Sequence, residues 1–528
     1  MAAQNTRQLA RSTLIVMVAF GAAKVVSLAQ QFIVAREFGV GSEWDAYVVA
    51  NSIPELIFTL IAGGALAFAF IPIFAGFLAE GNQPKAWKTA SHVINSLFLL
   101  TLIVSVVVFL IAPWLVSNVI ATGFPADAQA QTVDMMRILL VGTLIFSISG
   151  ILMGILQSYN NFLLPALAPI MYSVGLLIGV VVLSDSLGVY GVAIGAVIGA
   201  ALHLSIQIPG LIRVRAQWSP ELGLTDPTLW RILRLMLPAL GGLAVFSVNW
   251  LIMNNLASNM GEGAVSALSW GWRIMQIPET LIGTAMGTVI FPTLAALSAV
   301  DNLKGKREAM AGAIRFILTA TIPASIALLV LGRPLLTVLE GGAFDASATD
   351  FVYSTLQFFT LGLIVQSVLE IAARSFYADK NTVIPFITSS IGAAINIVGA
   401  YVLSASLGVG GLALANSLGI AVEVSINLIL LRRRWHGIEE RSLFLTAAKG
   451  VAASLVMAAI ILGVGAVWSA LGLGERGKAF LIAQIAVQGV LGGLGFLAAA
   501  WILRMKELEE LLRLIRRRST APVEAAVS

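Results

Sequence analysis

Cysteine is absent from the 528 residues, which excludes disulfides, thiolate metal sites and a cysteine nucleophile. Charge is nearly as scarce: 11% of residues are Asp, Glu, Lys or Arg, against roughly a quarter in an ordinary soluble domain. Three histidines leave little for metal or acid–base chemistry, and no nucleophile, base and orienting group stand together in a motif. The chain is therefore read as no enzyme, with no cofactor and no metal. One near-match to a phosphate-binding loop, Gly472 to Lys478, lacks the Ser/Thr that would hold magnesium and follows an apolar run instead of a strand.

What the sequence has in excess is apolar length. It is 58% hydrophobic, with a mean hydropathy of +0.93, and reads as an all-α polytopic membrane protein. About fourteen runs are long enough to span a bilayer, from Ser12–Val34 and Asp45–Phe77 to Leu443–Leu471 and Ala479–Arg504. The formal charge of +5 points to orientation, not to nucleic acid. Arg7, Arg11, Lys85, Lys88, Arg213, Arg215, Arg231, Arg234, Lys304, Lys306, Arg307, Arg315, Lys380, Arg432 to Arg434, Arg441, Lys449 and the basic residues of the tail from Arg504 to Arg518 fall at one set of ends. Arg36, Arg333, Arg476 and Lys478 fall at the other, a ratio of roughly six to one that places both termini in the cytoplasm. The tail Lys506–Arg518 reads as a basic amphipathic helix on the inner leaflet.

The chain also repeats itself. Val182-Leu-Ser-Asp-Ser-Leu-Gly-Val-Tyr-Gly-Val-Ala193 recurs as Val402-Leu-Ser-Ala-Ser-Leu-Gly-Val-Gly-Gly-Leu-Ala413. The same offset of about 220 residues relates Pro72 to Pro292, Phe124 to Phe344, Pro165 to Pro385 and Ser205 to Ser425. Two pseudo-symmetric six-helix lobes, 1–215 and 216–435, are expected, then an added helix pair, 436–504, and a basic cytoplasmic tail, 505–528. Parallel repeats of this kind are a transporter plan with the substrate near the midplane between lobes.

Charges inside the spans are the candidate functional groups, because each costs at least ~3 kcal/mol unless it faces water, protein or an anion. Lys24 and Arg273 lie on the first and eighth spans, at matching places in the two lobes, and each could present a cation to an acidic headgroup. Ion pairing with Glu55 or Glu279 is the plainer reading. Glu370 and Arg374, four apart on one helix face, neutralise each other. His203 and Glu423 occupy equivalent repeat positions, either as ion-coupling groups or as satisfied buried polar residues. Asp45 is placed to cap a helix. Pro54, Gly63, Gly64 and Pro278 supply bends.

The segments Ile33-Val-Ala-Arg-Glu-Phe-Gly39, Asp45-Ala-Tyr47, Ile53-Pro54, Phe70-Ile-Pro72, Gly123-Phe124, Trp272-Arg-Ile-Met-Gln-Ile-Pro278, Gly287-Thr-Val-Ile-Phe-Pro292 and Gly342-Ala-Phe344 resemble the MurJ (MviN) lipid II flippase family. That family belongs to the multidrug/oligosaccharidyl-lipid/polysaccharide exporter superfamily, and the likeness covers essentially the whole chain. It implies export of an undecaprenyl-pyrophosphate-linked peptidoglycan precursor across the bacterial cytoplasmic membrane by alternating access. It also implies that Arg273 is a cavity cation, that Lys24 stands at an arginine position, and that Asp45, Glu55 and Glu279 belong to gates or hinges. The sequence departs from the family at Gln30, where a second arginine is usual, and at Phe58, the arginine of the second helix. Amides of Gln30, Gln31, Asn254 and Asn255 are the candidates to share the anion in their stead.

The expected partners are a polyprenyl-pyrophosphate-linked saccharide and the bilayer, with the cell-wall synthesis machinery a further candidate; nucleic acid is not expected, and a monomer is. Three other readings stay open. They are a flippase for another polyprenyl-linked oligosaccharide, a multidrug cation antiporter and a non-transporting envelope scaffold.

Overall fold

The computed structural model of the protein describes residues 25–61, 64–472, 477–505 and 507. The chain is a succession of helices: α1 over 25–38, α2 Ser42–Ile61, α3 Gly64–Ala79, α4 Gln83–Leu115, α5 Ala126–Ser158, α6 Leu163–Ile178, α7 Ser184–Leu187, α8 Val189–Ser205 and α9 Ile208–Arg213. There follow α10 Pro227–Ser258, α11 Ala264–Glu279, α12 Ala285–Ala299, α13 Leu303–Leu339, α14 Ala346–Ala378, α15 Val383–Leu407, α16 Val409–Trp435, α17 Glu440–Ala470 and α18 Lys478–Ile502. Among the described residues, twelve helices are long and apolar enough to cross a membrane. The expected span Ser12–Val34 is described from residue 25 onward, and Asp45–Phe77 divides into α2 and α3. With those two, the architecture is the all-α polytopic one of about fourteen spans. Of the basic tail, only Glu507 lies within the described residues beyond Met505.

Packing divides the chain into two units, Met1–Ser266 with Gly341–Asp345, and Ala267–Glu340 with Ala346–Ser528. In the first, α5 is central, against α2, α4 and α8, and buries Met135, Met136, Leu139, Ile151 and Ile155. In the second, α14 is central, against α13 and α16, and buries Val352, Leu356, Phe359, Leu363 and Phe376. The terminal helices α17 and α18 pack on each other and on α13, around Leu331, Met457, Ile461 and Phe496. The repeat border expected after residue 215 and the packing border after Ser266 are different divisions. Helix α10 runs against α2 and α3, so the first helix of the second repeat packs with the first unit.

The repeat is written into local geometry as well as sequence. Helices α5 and α14 have the same length, and start and end at the same offset. Asn82 caps α4 by accepting from Lys85 NH, and Asn302 caps α13 by accepting from Gly305 NH. Gly188 and Gly408 adopt φ of 54° and 55° between paired helices, a conformation that glycine reaches at little cost. Ser205 and Ser425 each return their hydroxyl to the carbonyl four residues back, both at 2.7 Å.

Small residues set the closest helix approaches, as expected where lipid competes with side chains for apolar contact. A Cβ on Gly175 of α6 would lie 2.2 Å from Gly199 Cα of α8, so the two backbones all but touch.

Candidate functional site

Arg273 lies in the middle of α11. The neighbouring residues on that helix are fixed by packing: a Cβ on Gly271 would strike Thr355 Oγ1, and Trp272 meets Phe359 edge-on with ring centroids 5.4 Å apart. These contacts seat one face of α11 on α14. By helical period, Ser269, Arg273, Gln276 and Thr280 then share another, less buried face. The Arg273 guanidinium donates from Nε to Ser269 Oγ at 3.3 Å. Among the described residues no carboxylate forms an ion pair with it. Glu279, one of the partners weighed from sequence, instead accepts from Thr284 Oγ1 at 3.2 Å. That bond spans the π-helical turn Thr280–Thr284, which follows Pro278 and joins α11 to α12. Pro278 and the extra residue of this turn interrupt the helical ladder in one place, the arrangement that bends a long helix.

Lys24 and Gly63 lie outside the described residues. Gly64 opens α3. Gln30 and Gln31 are half-buried on α1, where Gln31 Nε2 lies 3.5 Å from Ser27 Oγ. Pro54 is buried within α2, and Glu55 beside it is exposed and accepts from Asn51 Nδ2 at 3.1 Å. Phe58 packs on Phe146 of α5 with centroids 5.2 Å apart.

Asp45 accepts three hydrogen bonds across to another helix. It lies in the first turn of α2, 1% exposed, yet its carboxylate serves the start of α11 and not its own helix. Oδ2 accepts from Gly263 NH at 2.7 Å, and Oδ1 from Ser266 NH at 2.6 Å and from the Ser266 hydroxyl. The first amides of a helix lack intrahelical acceptors, so a carboxylate there satisfies two of them and meets the positive end of the helix dipole. Ser42 NH donates to Glu262 Oε1 alongside. Two loop corners related by the repeat lie in the same unit. Ala343 NH donates to Arg36 O at 2.8 Å, and Gly39 (φ +58°) faces the Ala343 carbonyl so closely that no Cβ would fit. At the equivalent corner, Thr122 donates from NH and hydroxyl to Asn255 Oδ1, and Gly123 NH to Ser258 Oγ. Asn254 Nδ2 donates to Ser52 Oγ of α2 at 3.0 Å. Both asparagines weighed as headgroup amides are thus engaged in holding α10 to its neighbours.

Replacing Asp45 by alanine removes the acceptor of three donors. The expected cost to this junction is about 1–3 kcal/mol, seen as faster hydrogen exchange at Gly263 and Ser266. Unchanged protection there would refute the cross-helix cap.

The repeat-related pair His203 and Glu423 differ in surroundings. His203 Nδ1 lies 2.6 Å from Ser149 Oγ, which also accepts from Gln207 Nε2 at 2.7 Å, and its ring packs on Phe146. Glu423 lies opposite Gly392 on the α15–α16 seam, without a hydrogen bond or ion pair to any described residue. Glu370 and Arg374 form the ion pair expected from their spacing. The corners, the cross-helix cap and the role of Ser269 escaped the sequence, because each joins residues far apart in the chain or depends on which way a helix face turns.

Residues 34–477 match the family model described as lipid II flippase MurJ. A lipid II flippase MurJ of Burkholderia cenocepacia is 30% identical over 421 residues, covering 78% of this chain and 81% of that protein. A probable lipid II flippase MurJ of Thermotoga maritima is 28% identical, covering 93% and 96%. Among solved structures, a lipid II flippase MurJ in an inward closed conformation superposes with a TM-score of 0.77 at 24% identity, covering 93% and 98%. An inward-facing multidrug resistance MATE family transporter of the MOP superfamily follows the fold at a TM-score of 0.67 and 18% identity, covering 79% and 96%. With the family model matching well over half its length, this multi-pass membrane protein belongs to the MurJ lipid II flippase family.

Proposed function

We propose that the protein carries lipid II, an undecaprenyl-pyrophosphate-linked peptidoglycan precursor, from the inner to the outer leaflet of the bacterial cytoplasmic membrane by alternating access. The observation that carries this reading is Arg273, a guanidinium within a membrane-spanning helix and without a carboxylate partner among the described residues. Such a group is stabilised when an acidic headgroup arrives, and two parallel N–H bonds to a phosphate are among the strongest polar contacts available. Lys24 is the second cation of the proposal, with Gln30 and Gln31 as neutral donors. Asp45 with the two loop corners closes the outer side, and Pro54, Glu55, Gly63, Gly64, Pro278 and Glu279 form the hinges. Glu423 is the ion-coupling group, His203 being already satisfied by Ser149. The protein works as a monomer with both termini cytoplasmic, as the distribution of Lys and Arg supports, and passes its cargo to the cell-wall synthesis machinery.

Phe58 favours a second reading. An aromatic contact with Phe146 stands where the family carries an arginine, so one less cation is offered and another polyprenyl-linked oligosaccharide becomes a candidate cargo. Proteoliposomes loaded with fluorescent lipid II, or with another polyprenyl-linked oligosaccharide, separate the two. Transfer of lipid II to the quencher-accessible leaflet above protein-free vesicles is the expected result. Transfer of the other lipid alone would replace the first reading with the second, and transfer of neither would end both.

A further inference from the structure

The linker between α9 and α10 is held down more firmly than a connection needs to be. Trp218 Nε1 donates to Asn95 Oδ1 at 2.9 Å, and Asn95 Nδ2 donates to the carbonyls of Ser219 and Glu221, both at 2.7 Å. Ser96 Oγ donates to Leu222 O at 2.6 Å, and Ser219 NH to Ser91 Oγ at 3.0 Å. His92, buried on α4, takes both acids of the linker: Nδ1 lies 2.9 Å from Asp226 Oδ2, and Nε2 3.3 Å from Glu221 Oε2. Lys88 Nζ is 3.5 Å from the same Glu221 oxygen. The bond to His92, with Lys88 beside it, holds the Glu221 carboxyl below the usual carboxylate range. At Asp226 burial opposes ionisation, but Thr228 NH and His92 outweigh it, and this carboxyl too is held low. Asp226 at the same time caps α10.

This arrangement turns both acids toward α4 and leaves the linker's outer side basic. Arg213, Arg215, Arg231 and Arg234 are all exposed, and among the described residues none of them forms an ion pair. Between them stand two tryptophans, Trp218 at 65% and Trp230 at 53% exposure, although each indole N–H is already bonded, to Asn95 and to Leu224 O. Ile212 and Leu224 are exposed beside them. Fixed indoles among exposed guanidinium groups at the ends of membrane spans match the headgroup layer, where aromatic rings settle and each cation near acidic lipid contributes about 1 kcal/mol.

We propose that segment 212–235 is a docking surface for acidic phospholipid, binding anionic glycerophospholipid headgroups through Arg213, Arg215, Arg231 and Arg234, with Trp218 and Trp230 lying in the headgroup layer. Charge complementarity names the occupant: Asp226 is bonded to His92, Glu221 is exposed but already engaged by His92 and Lys88, and the four guanidinium groups have no ion-pair partner among the described residues. Because Asp226 both binds His92 and caps α10, lipid on this surface bears directly on where α10 begins. The leaflet concerned is the inner one, which rests on the orientation proposed above; the lipid preference itself does not depend on lipid II as cargo.

The test uses the full-length protein in nanodiscs containing brominated phosphatidylglycerol or brominated phosphatidylcholine. The emission of Trp218 and Trp230 is taken as the difference between wild type and W218F/W230F. That emission is expected to be half-quenched at a mole fraction of brominated phosphatidylglycerol about threefold or more below that of brominated phosphatidylcholine. High salt, which screens exposed charge, should remove the difference in the wild type, as should R213Q/R215Q/R231Q/R234Q. Equal quenching by the two lipids, or a preference that survives both salt and the four substitutions, overturns the proposal. Equal quenching together with loss of cellular function in the four-substitution variant would point instead to an acidic partner protein. Lipid II translocation, measured separately, reports on the transport reading alone, so the failure of either is recognisable by itself.

Discussion

Arg273→Ala is expected to stop export while leaving the fold intact. In α11 the packing contacts belong to Gly271 and Trp272, and among the described residues the guanidinium is tied only to Ser269 Oγ. Removing it therefore deletes little that supports the helix, and deletes the group offered to a pyrophosphate. A hydrogen bond to a charged partner contributes about 1.5–3 kcal/mol, so lipid II should bind roughly 10- to 150-fold more weakly. Arg273→Lys keeps the charge but not the two-pronged geometry, and should fall between wild type and alanine. Native mass spectrometry of lipid II binding, with translocation in proteoliposomes, measures both effects. An Arg273→Ala protein that moves lipid II at the wild-type rate would remove the central cation from the mechanism.

Asp379→Asn is expected to cost more in stability than any substitution discussed so far. Asp379 follows α14 directly, and its side chain is 4% exposed. Its Oδ1 accepts from Lys306 Nζ at 2.8 Å and from Ser298 Oγ at 2.7 Å, and its Oδ2 from Trp435 Nε1 at 3.2 Å. Arg434 Nε lies 3.5 Å from Oδ2, and the Lys306 ammonium stands over the Trp435 ring. One carboxylate thus ties α12, α13, α14 and α16 together. Substitution leaves Lys306, 4% exposed, without its counter-charge, a change of about 3–5 kcal/mol for a buried pair.

Burial alone would raise the Asp379 pKa, but the bonds from Lys306, Ser298 and Trp435 outweigh it and hold the carboxyl below its ordinary 3.8. A depressed carboxylate stabilises the folded state fully above its unfolded value and loses that contribution as pH falls through the folded one. The gap in unfolding temperature between wild type and Asp379→Asn should therefore be constant from about pH 7 to about pH 5 and close only in stronger acid. A gap that narrows already within that range would show that another group carries the linkage.

How much of this was legible beforehand follows from the kind of interaction involved. Membrane class, helix number and the doubling of the chain rest on composition, run length and a fixed offset, all of which survive in one dimension. The caps at Asn82 and Asn302 and the left-handed turns at Gly188 and Gly408 confirm that offset in three dimensions. The Glu370–Arg374 pair was likewise readable, because four residues is a distance the helix itself fixes.

Other assignments needed the fold. Asp45 could be recognised as a capping residue from its place before an apolar run, but that it caps α11 depends on two segments more than two hundred residues apart being brought side by side. Asn254 and Asn255 offered amides to a ligand on paper and are engaged by Ser52 and Thr122 in the folded chain. Lys306 counted only as one positive charge among many until Asp379 was placed against it.

From the sequence alone came the number, order and repetition of apolar segments, and with them the family and the presence of rare cations within the membrane. These follow from hydrophobic transfer, which acts residue by residue. Which polar groups are neutralised and which stay open to a ligand was decided only by tertiary structure, because a charge is answered by whatever the fold brings within a few ångströms of it.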